Sequence, residues 1–322
     1  MRNGWFAWCN FICMFIVVRQ HLPYASDPPL IQKLVLLVIP LFAIIAGCSW
    51  GWVLKKTKGK GVLPGLKFFI YPYLFWLVIY YLYQTFLSVC VQHQDYRAPR
   101  WELVVSWVFN GQTFLPLYYI VTLIYVMLAS LATYNFFSRK NLFYVLSGVT
   151  TIVMLIAHSV DVQYLESYSL YPVLDWICRR FCLVVSYFMM GVLFSSVNPK
   201  RFAEAPVKLC LPFVWILGIV VFAFSSRGYN AAILICAIMM TMLAFPDVHI
   251  PQLVKTSAPY IMGIYLAHGL LTIACWKVMW LKQGGERVIF FPYDWLLSVA
   301  FLFITWGVVW LMRRMPALRA VV

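Results

Sequence analysis

LVLLVIPLFAIIAGCSWGWVL, residues 34–54, runs for 21 positions without a charge and is followed at once by KKTKGKG, residues 55–61. As a helix that stretch rises about 30 Å, the thickness of the hydrocarbon core of a bilayer. Inside lipid the backbone has no water to bond to, so only a helix or a closed barrel satisfies it. Barrel strands alternate in polarity over about ten residues; this run does not alternate, so it reads as a transmembrane helix.

The rest of the chain has the same character. Of 322 residues 64% are hydrophobic and 11% charged, with a mean hydropathy of +0.85, a composition that leaves too little polar surface for a soluble fold. Apolar runs near 4–24, 34–54, 68–91, 115–136, 142–160, 175–196, 209–226, 230–246, 258–281 and 294–312 predict an all-α, polytopic integral membrane protein with about ten transmembrane helices in one domain over 1–322. Trp101–Gly111 is too short to span and is expected at the interface or re-entering the bilayer. The first segment has no small-residue cleavage site and reads as a retained helix.

An even number of spans puts both termini on one side. Together with the loops after helices 2, 4, 6 and 8, that side carries 15 of the 25 basic residues against two acids, Glu204 and Asp247. Ten basic residues and eight acids are left for the other side. The positive-inside rule therefore predicts cytoplasmic termini. The net charge of +15 reflects this topology and gives no reason to invoke nucleic acid.

KKTKGKG itself has two readings: an orientation signal touching lipid headgroups, or a flexible basic loop meeting the phosphates of a soluble donor. No GxxxxGK[ST] or GxGxxG motif accompanies it. The nine cysteines lie mostly inside apolar runs without metal-ligand spacing, and read as small packing residues. No metal site is expected.

Ionisable groups in the apolar runs are costly, and a functional role is the first hypothesis for each. The first helix ends IVVRQH, Ile16–His21. Asn10 and His21 are eleven residues apart, so they share one helix face about 16 Å apart along the axis. Arg19 lies on a different face and is expected to snorkel outward to headgroups. His268, in GIYLAH (Gly263–His268), falls near the bilayer midplane, either as a functional group or as a neutral ring bonded to a helix carbonyl. The reckoned depths of His21, about 25 Å along its helix, and of His268, about 14 Å along its own, separate the two rings. His158 with Asp161 at the outer end of helix 5 is either an oriented base or an interfacial ion pair, and Arg179 and Arg180 open helix 6 where a polar acceptor would approach. Pro40 and Pro72 are expected to break helices 2 and 3 beside a cavity.

The order of these features resembles the membrane acyltransferase 3 family, bacterial enzymes that acylate surface polysaccharides. IVVRQH is similar to its first-helix histidine motif, and Ile39–Gly51 to its PLFFxxSG motif. LKFFIYPYLFW, Leu66–Trp76, follows a basic segment as the family's proline-tyrosine motif does. YFMMG, Tyr187–Gly191, looks like its FxxG, and Gly263–His268 matches its GIYxxH. The sequence also departs from the pattern. Asn10 stands where the family has an arginine, Ala46 replaces its serine, Phe69 replaces an arginine with Lys67 as the nearest substitute, and PLYY (Pro116–Tyr119) replaces His-Leu-Trp-Phe.

The resemblance implies a divergent, multi-pass O-acyltransferase (O-acetyltransferase type) of the bacterial inner membrane, a single transmembrane acyltransferase domain over 1–322. It would move an acyl group, most simply acetyl, from cytoplasmic acyl-CoA (acetyl-CoA) to a hydroxyl of a polysaccharide or lipid-linked glycan. His21 would be catalytic, as base or acyl carrier. Lys55, Lys56, Lys58, Lys60, Lys67 and Asn10 would bind the donor. His268, Tyr265 and Arg19 would line the cavity, and His158, Asp161, Arg179 and Arg180 would face the acceptor. A transporter or flippase of a glycan intermediate, using the histidines as proton relays, is the rival reading.

Overall fold

The computed structural model describes residues 4–21, 29–86, 89, 104, 115–137, 140–159, 176–202, 204–224, 231–282 and 293–322. Ten longer helices run in chain order: α1 (Gly4–Gln20), α2 (Pro29–Thr57), α3 (Leu63–Phe86), α4 (Leu115–Phe136), α5 (Lys140–Ser159), α6 (Cys182–Ser196), α7 (Ala205–Ala223), α8 (Ala232–Ala244), α9 (Ile261–Lys282) and α10 (Tyr293–Arg314). A π-helical turn, Trp176–Phe181, leads into α6, and a 3-10 turn, Ala258–Tyr260, leads into α9. Among the described residues there is no strand, and seven helices are long and apolar enough to cross a membrane; α1 and α8 are shorter apolar helices. The protein is an all-α, polytopic membrane protein. The Trp101–Gly111 segment lies almost wholly outside the described residues.

Two expectations about helix shape need correction. α2 runs unbroken through Pro40 and α3 through Pro72. Each proline removes one backbone donor, and neighbouring helices in a membrane protein tolerate that loss without a break.

The chain divides into two compact units. The first comprises residues 1–10, 32–62 and 125–255, and the second residues 11–31, 63–124 and 256–322.

In the first unit the usual polarity of a protein is inverted. On α5 the exposed large apolar side chains are Leu142, Val145, Leu146, Val149, Ile152, Val153 and Ile156, a continuous helical stripe. Its buried face carries Phe143, Ser147 and Thr151. The two hydroxyls bond back to the carbonyls of Phe143 and Ser147, both at 2.9 Å. Lipid accepts apolar stripes, while small and polar residues let helices approach. The same logic joins α2 to α6. A methyl group added at Gly47 would collide with the Phe188 carbonyl, one at Gly191 with the Ile44 carbonyl, and one at Gly51 with Ser195. Gly47 and Gly51 thus face Gly191 and Ser195 at the four-residue spacing that brings two helix backbones together.

Both ends of this unit are set by named contacts. At one end Phe6 stacks on Trp52 with ring centroids 5.7 Å apart, and the Trp5 indole donates to the Phe245 carbonyl at 2.6 Å. There Lys208 lies 5.1 Å over the Phe245 ring, and Lys140 4.0 Å over that of Tyr134. α2 closes at this end with the Gly59 amide donating to the Leu54 carbonyl at 3.1 Å, which puts Lys58 in the left-handed region at φ 54°. Gly59 itself abuts Asn135 at the end of α4. At the other end Lys33 donates to the Ala223 carbonyl, and the His158 Nδ1 meets the Cys178 carbonyl at 2.9 Å. The loops grouped by charge in the sequence therefore sit together in space within this unit.

In the second unit α9 and α10 pack against each other where Gly263 leaves room for Val309. Tyr260 lies 6.2 Å from Trp306, and the Arg313 guanidinium donates to the Pro259 carbonyl at 2.8 Å. α3 joins through Trp76, whose indole donates to the Val321 carbonyl at 3.1 Å, and through Tyr80, whose hydroxyl donates to the Leu266 carbonyl at 2.6 Å.

Candidate active site

The second unit brings two histidines together. α1 ends at Gln20, and His21 sits in the turn just beyond it, its amide donating to the Val18 carbonyl at 3.3 Å. His268 lies on the third turn of α9 and is fully buried. Their ring centroids are 5.1 Å apart with 40° between the planes. This overturns the separation reckoned from helix depth. Depth along a helix fixes neither the level at which the helix starts nor its tilt, so the contact follows from packing that neither helix alone reveals.

The His268 ring is oriented by its own helix. Nδ1 meets the Tyr265 carbonyl at 2.6 Å and the Ile264 carbonyl at 3.3 Å. A carbonyl oxygen only accepts, so Nδ1 carries the hydrogen and Nε2 is left with its lone pair. Among the described residues Nε2 is buried and has no hydrogen-bond partner. A buried polar atom left unsatisfied is expensive, and native structures keep few.

Tyrosines pack on the His268 side of the pair. Tyr265 lies 5.8 Å from His268 and 5.6 Å from Tyr119, centroid to centroid. Tyr80, Tyr119 and Tyr265 are all buried, as is Tyr118. PLYY, which departs from the family motif, thus puts Tyr119 beside this site. Its signal in the sequence was two tyrosines at the start of an apolar helix, and nothing in the spacing tied them to GIYLAH.

Arg19 also departs from expectation. It is buried, with its guanidinium 4.6 Å over the Trp295 ring of α10. Phe15, one turn earlier on the same face, lies 5.8 Å from the same ring. Opposite faces of the end of α1 are therefore covered, one by α9 through the histidines and one by α10 through Trp295. A single helix read alone does not reveal the second neighbour, so its arginine was assigned to headgroups. Burial over an indole face supplies a cation–π contact in place of water.

The remaining candidates lie elsewhere. Lys55, Lys56, Lys58 and Lys60 are exposed at the end of α2 in the first unit, and Lys67 is exposed on the first turns of α3 in the second. Asn10 belongs to the first unit and is half-buried. His158, half-buried, holds the Cys178 carbonyl in the π turn; Arg179 there is exposed and Arg180 half-buried. Asp161 lies outside the described residues.

The fold and this site define a polytopic helical membrane protein with an imidazole pair packed among tyrosines. The family model described as an acyltransferase domain matches residues 3–313, and the chain belongs to the acyltransferase 3 family. No curated protein and no solved structure matches it. Family membership makes it a membrane acyltransferase in general.

Proposed function

We propose that this acyltransferase moves an acyl group, most simply acetyl, from cytoplasmic acyl-CoA to a hydroxyl of a surface polysaccharide or lipid-linked glycan, with both chain termini in the cytoplasm of a bacterium. The observation that carries the proposal is the meeting of His21 and His268 at 5.1 Å in a chain of this family. Acyl transfer to an alcohol needs a base of near-neutral affinity for protons, and imidazole supplies it.

In the reaction the His21 nitrogen that carries the lone pair takes the hydroxyl proton as the alcohol oxygen bonds to the thioester carbon. The carbon–sulfur bond then breaks, and His21 passes the proton to the departing thiolate. If His21 instead attacks the thioester itself, the carbon–sulfur bond breaks as the acyl–nitrogen bond forms and the thiolate leaves; the alcohol then displaces His21 from the acyl group, and its proton goes to the thiolate. The exposed lysines of the α2–α3 loop would raise the local concentration of a donor rich in phosphate. His158, Arg179 and Arg180 would meet the acceptor at the opposite end of the first unit.

The test is transfer of label from acetyl-CoA into the protein or the glycan fraction of membranes that contain it. His21→Ala is expected to reduce transfer at least ~100-fold, the lower range of a general base's contribution. Unchanged transfer in that variant removes His21 from the chemistry, and glycan export without any acyl-CoA supports a transporter.

A further inference from the structure

We propose that His268 is the positioning residue for His21: its Nε2 accepts the N–H of His21 and so presents the other His21 nitrogen, with its lone pair, to the reacting groups. The inference rests on the acyl-transfer reading of this site and adds a division of labour between the two rings. Three observations lead to it. The Nδ1–H of His268 is engaged by the Tyr265 carbonyl at 2.6 Å, which leaves Nε2 as an acceptor. Nε2 is buried and has no partner among the described residues, so an acceptor is held ready inside the second unit. The ring of His21 stands 5.1 Å away, centroid to centroid, a separation at which facing nitrogens come within hydrogen-bond reach.

A neutral imidazole has one N–H and one lone pair, and the tautomer decides which nitrogen reacts. An acceptor at one nitrogen of His21 puts the hydrogen there and leaves the lone pair on the other. When His21 takes the proton of the alcohol, the resulting imidazolium has two N–H groups, one still held by His268 Nε2, and the second returns its proton to the departing thiolate. No net proton stays on the pair. A group that orients a base and stabilises its protonated form is the role the third member plays in hydrolase triads. Here a second imidazole fills that role. Catalytic hydrogen bonds commonly tighten only when substrate is bound, which accounts for a contact between rings where no bond to Nε2 has yet closed.

Two substitutions separate positioning from structure. His268→Gln puts an amide oxygen near the position of Nε2 and loses the bond to Tyr265. His268→Asn keeps an N–H near the position of Nδ1, retains that bond and offers nothing to His21. If His268 positions His21, His268→Gln retains transfer within about tenfold of wild type, while His268→Asn loses about 100-fold in kcat with little change in KM. The reverse order assigns His268 to helix structure alone and overturns the proposal. A second measurement needs no variant and no turnover: nitrogen-15 histidine spectra of the wild-type protein in lipid nanodiscs. They are expected to show His268 protonated at Nδ1 only, with its Nε2 carrying the lone pair. A hydrogen on Nε2 of His268 overturns the assignment. Because the spectra do not depend on acyl transfer, failure of this inference is distinguishable from failure of the reaction proposed above.

Discussion

Arg19 and Trp295 show what a residue gains from a neighbour that its own helix does not reveal. With the guanidinium buried 4.6 Å over the indole, the pair should contribute about 2 kcal/mol, the value of a desolvated cation–π contact. Trp295→Leu is expected to destabilise the protein by about that much when Arg19 is present and by distinctly less in an Arg19→Met background, because the cation–π contact is then already absent. Thermal unfolding of the four proteins of this cycle in detergent measures the difference; equal losses in both backgrounds would show that the contact contributes nothing. His21 and His268 were both visible in the sequence, since an ionisable residue in an apolar run stands out against the cost of burying it. Their contact was not visible, because it depends on where α1 stops and where α9 begins, and helix ends are the least determined feature of an apolar run. Tyr119 was missed for a different reason: a tyrosine near the start of a membrane helix is ordinary at an interface, and only the packing against Tyr265 distinguishes it.

Helices, as elements, were the best-read part of the chain. Each of the ten apolar runs contains a helix, because lipid leaves the backbone no alternative. The motifs read for function turn out to include packing devices. Gly47, Gly51 and Gly191, noticed in the sequence as parts of family motifs, are the positions where α2 and α6 touch backbone to backbone. Gly191→Ala should therefore cost about 1–3 kcal/mol, as overpacking does, whereas Gly307→Ala on α10, where a methyl meets nothing within 4 Å, should be neutral or slightly stabilising. Midpoints of thermal unfolding compare them directly, and a neutral Gly191→Ala would contradict the close contact. The α2 cap allows a further prediction in the opposite direction. Lys58 occupies a left-handed position at φ 54°, and Lys58→Gly should raise stability by about 1 kcal/mol through relief of that conformation. A lowered melting temperature in that variant would mean that the side chain contributes more than its backbone costs.

At the scale of the whole molecule, charge and packing agree on how the ends of the first unit are arranged. Lys55, Lys56, Lys58, Lys60 and Lys208 are exposed at one end, and Lys33 bonds to the Ala223 carbonyl at the other. If the basic end faces the cytoplasm, an impermeant amine-reactive reagent should modify the five lysines in inside-out vesicles and spare them in right-side-out ones, as read by mass spectrometry. Modification of the same lysines from the outer face would invert the proposed topology and put the donor on the wrong side. The most direct measurement of the central claim is transfer of labelled acetyl from acetyl-CoA by membranes containing the wild-type protein or His21→Ala. The account predicts label in protein or glycan with wild type and at least a ~100-fold loss in the variant; equal labelling by both would contradict it.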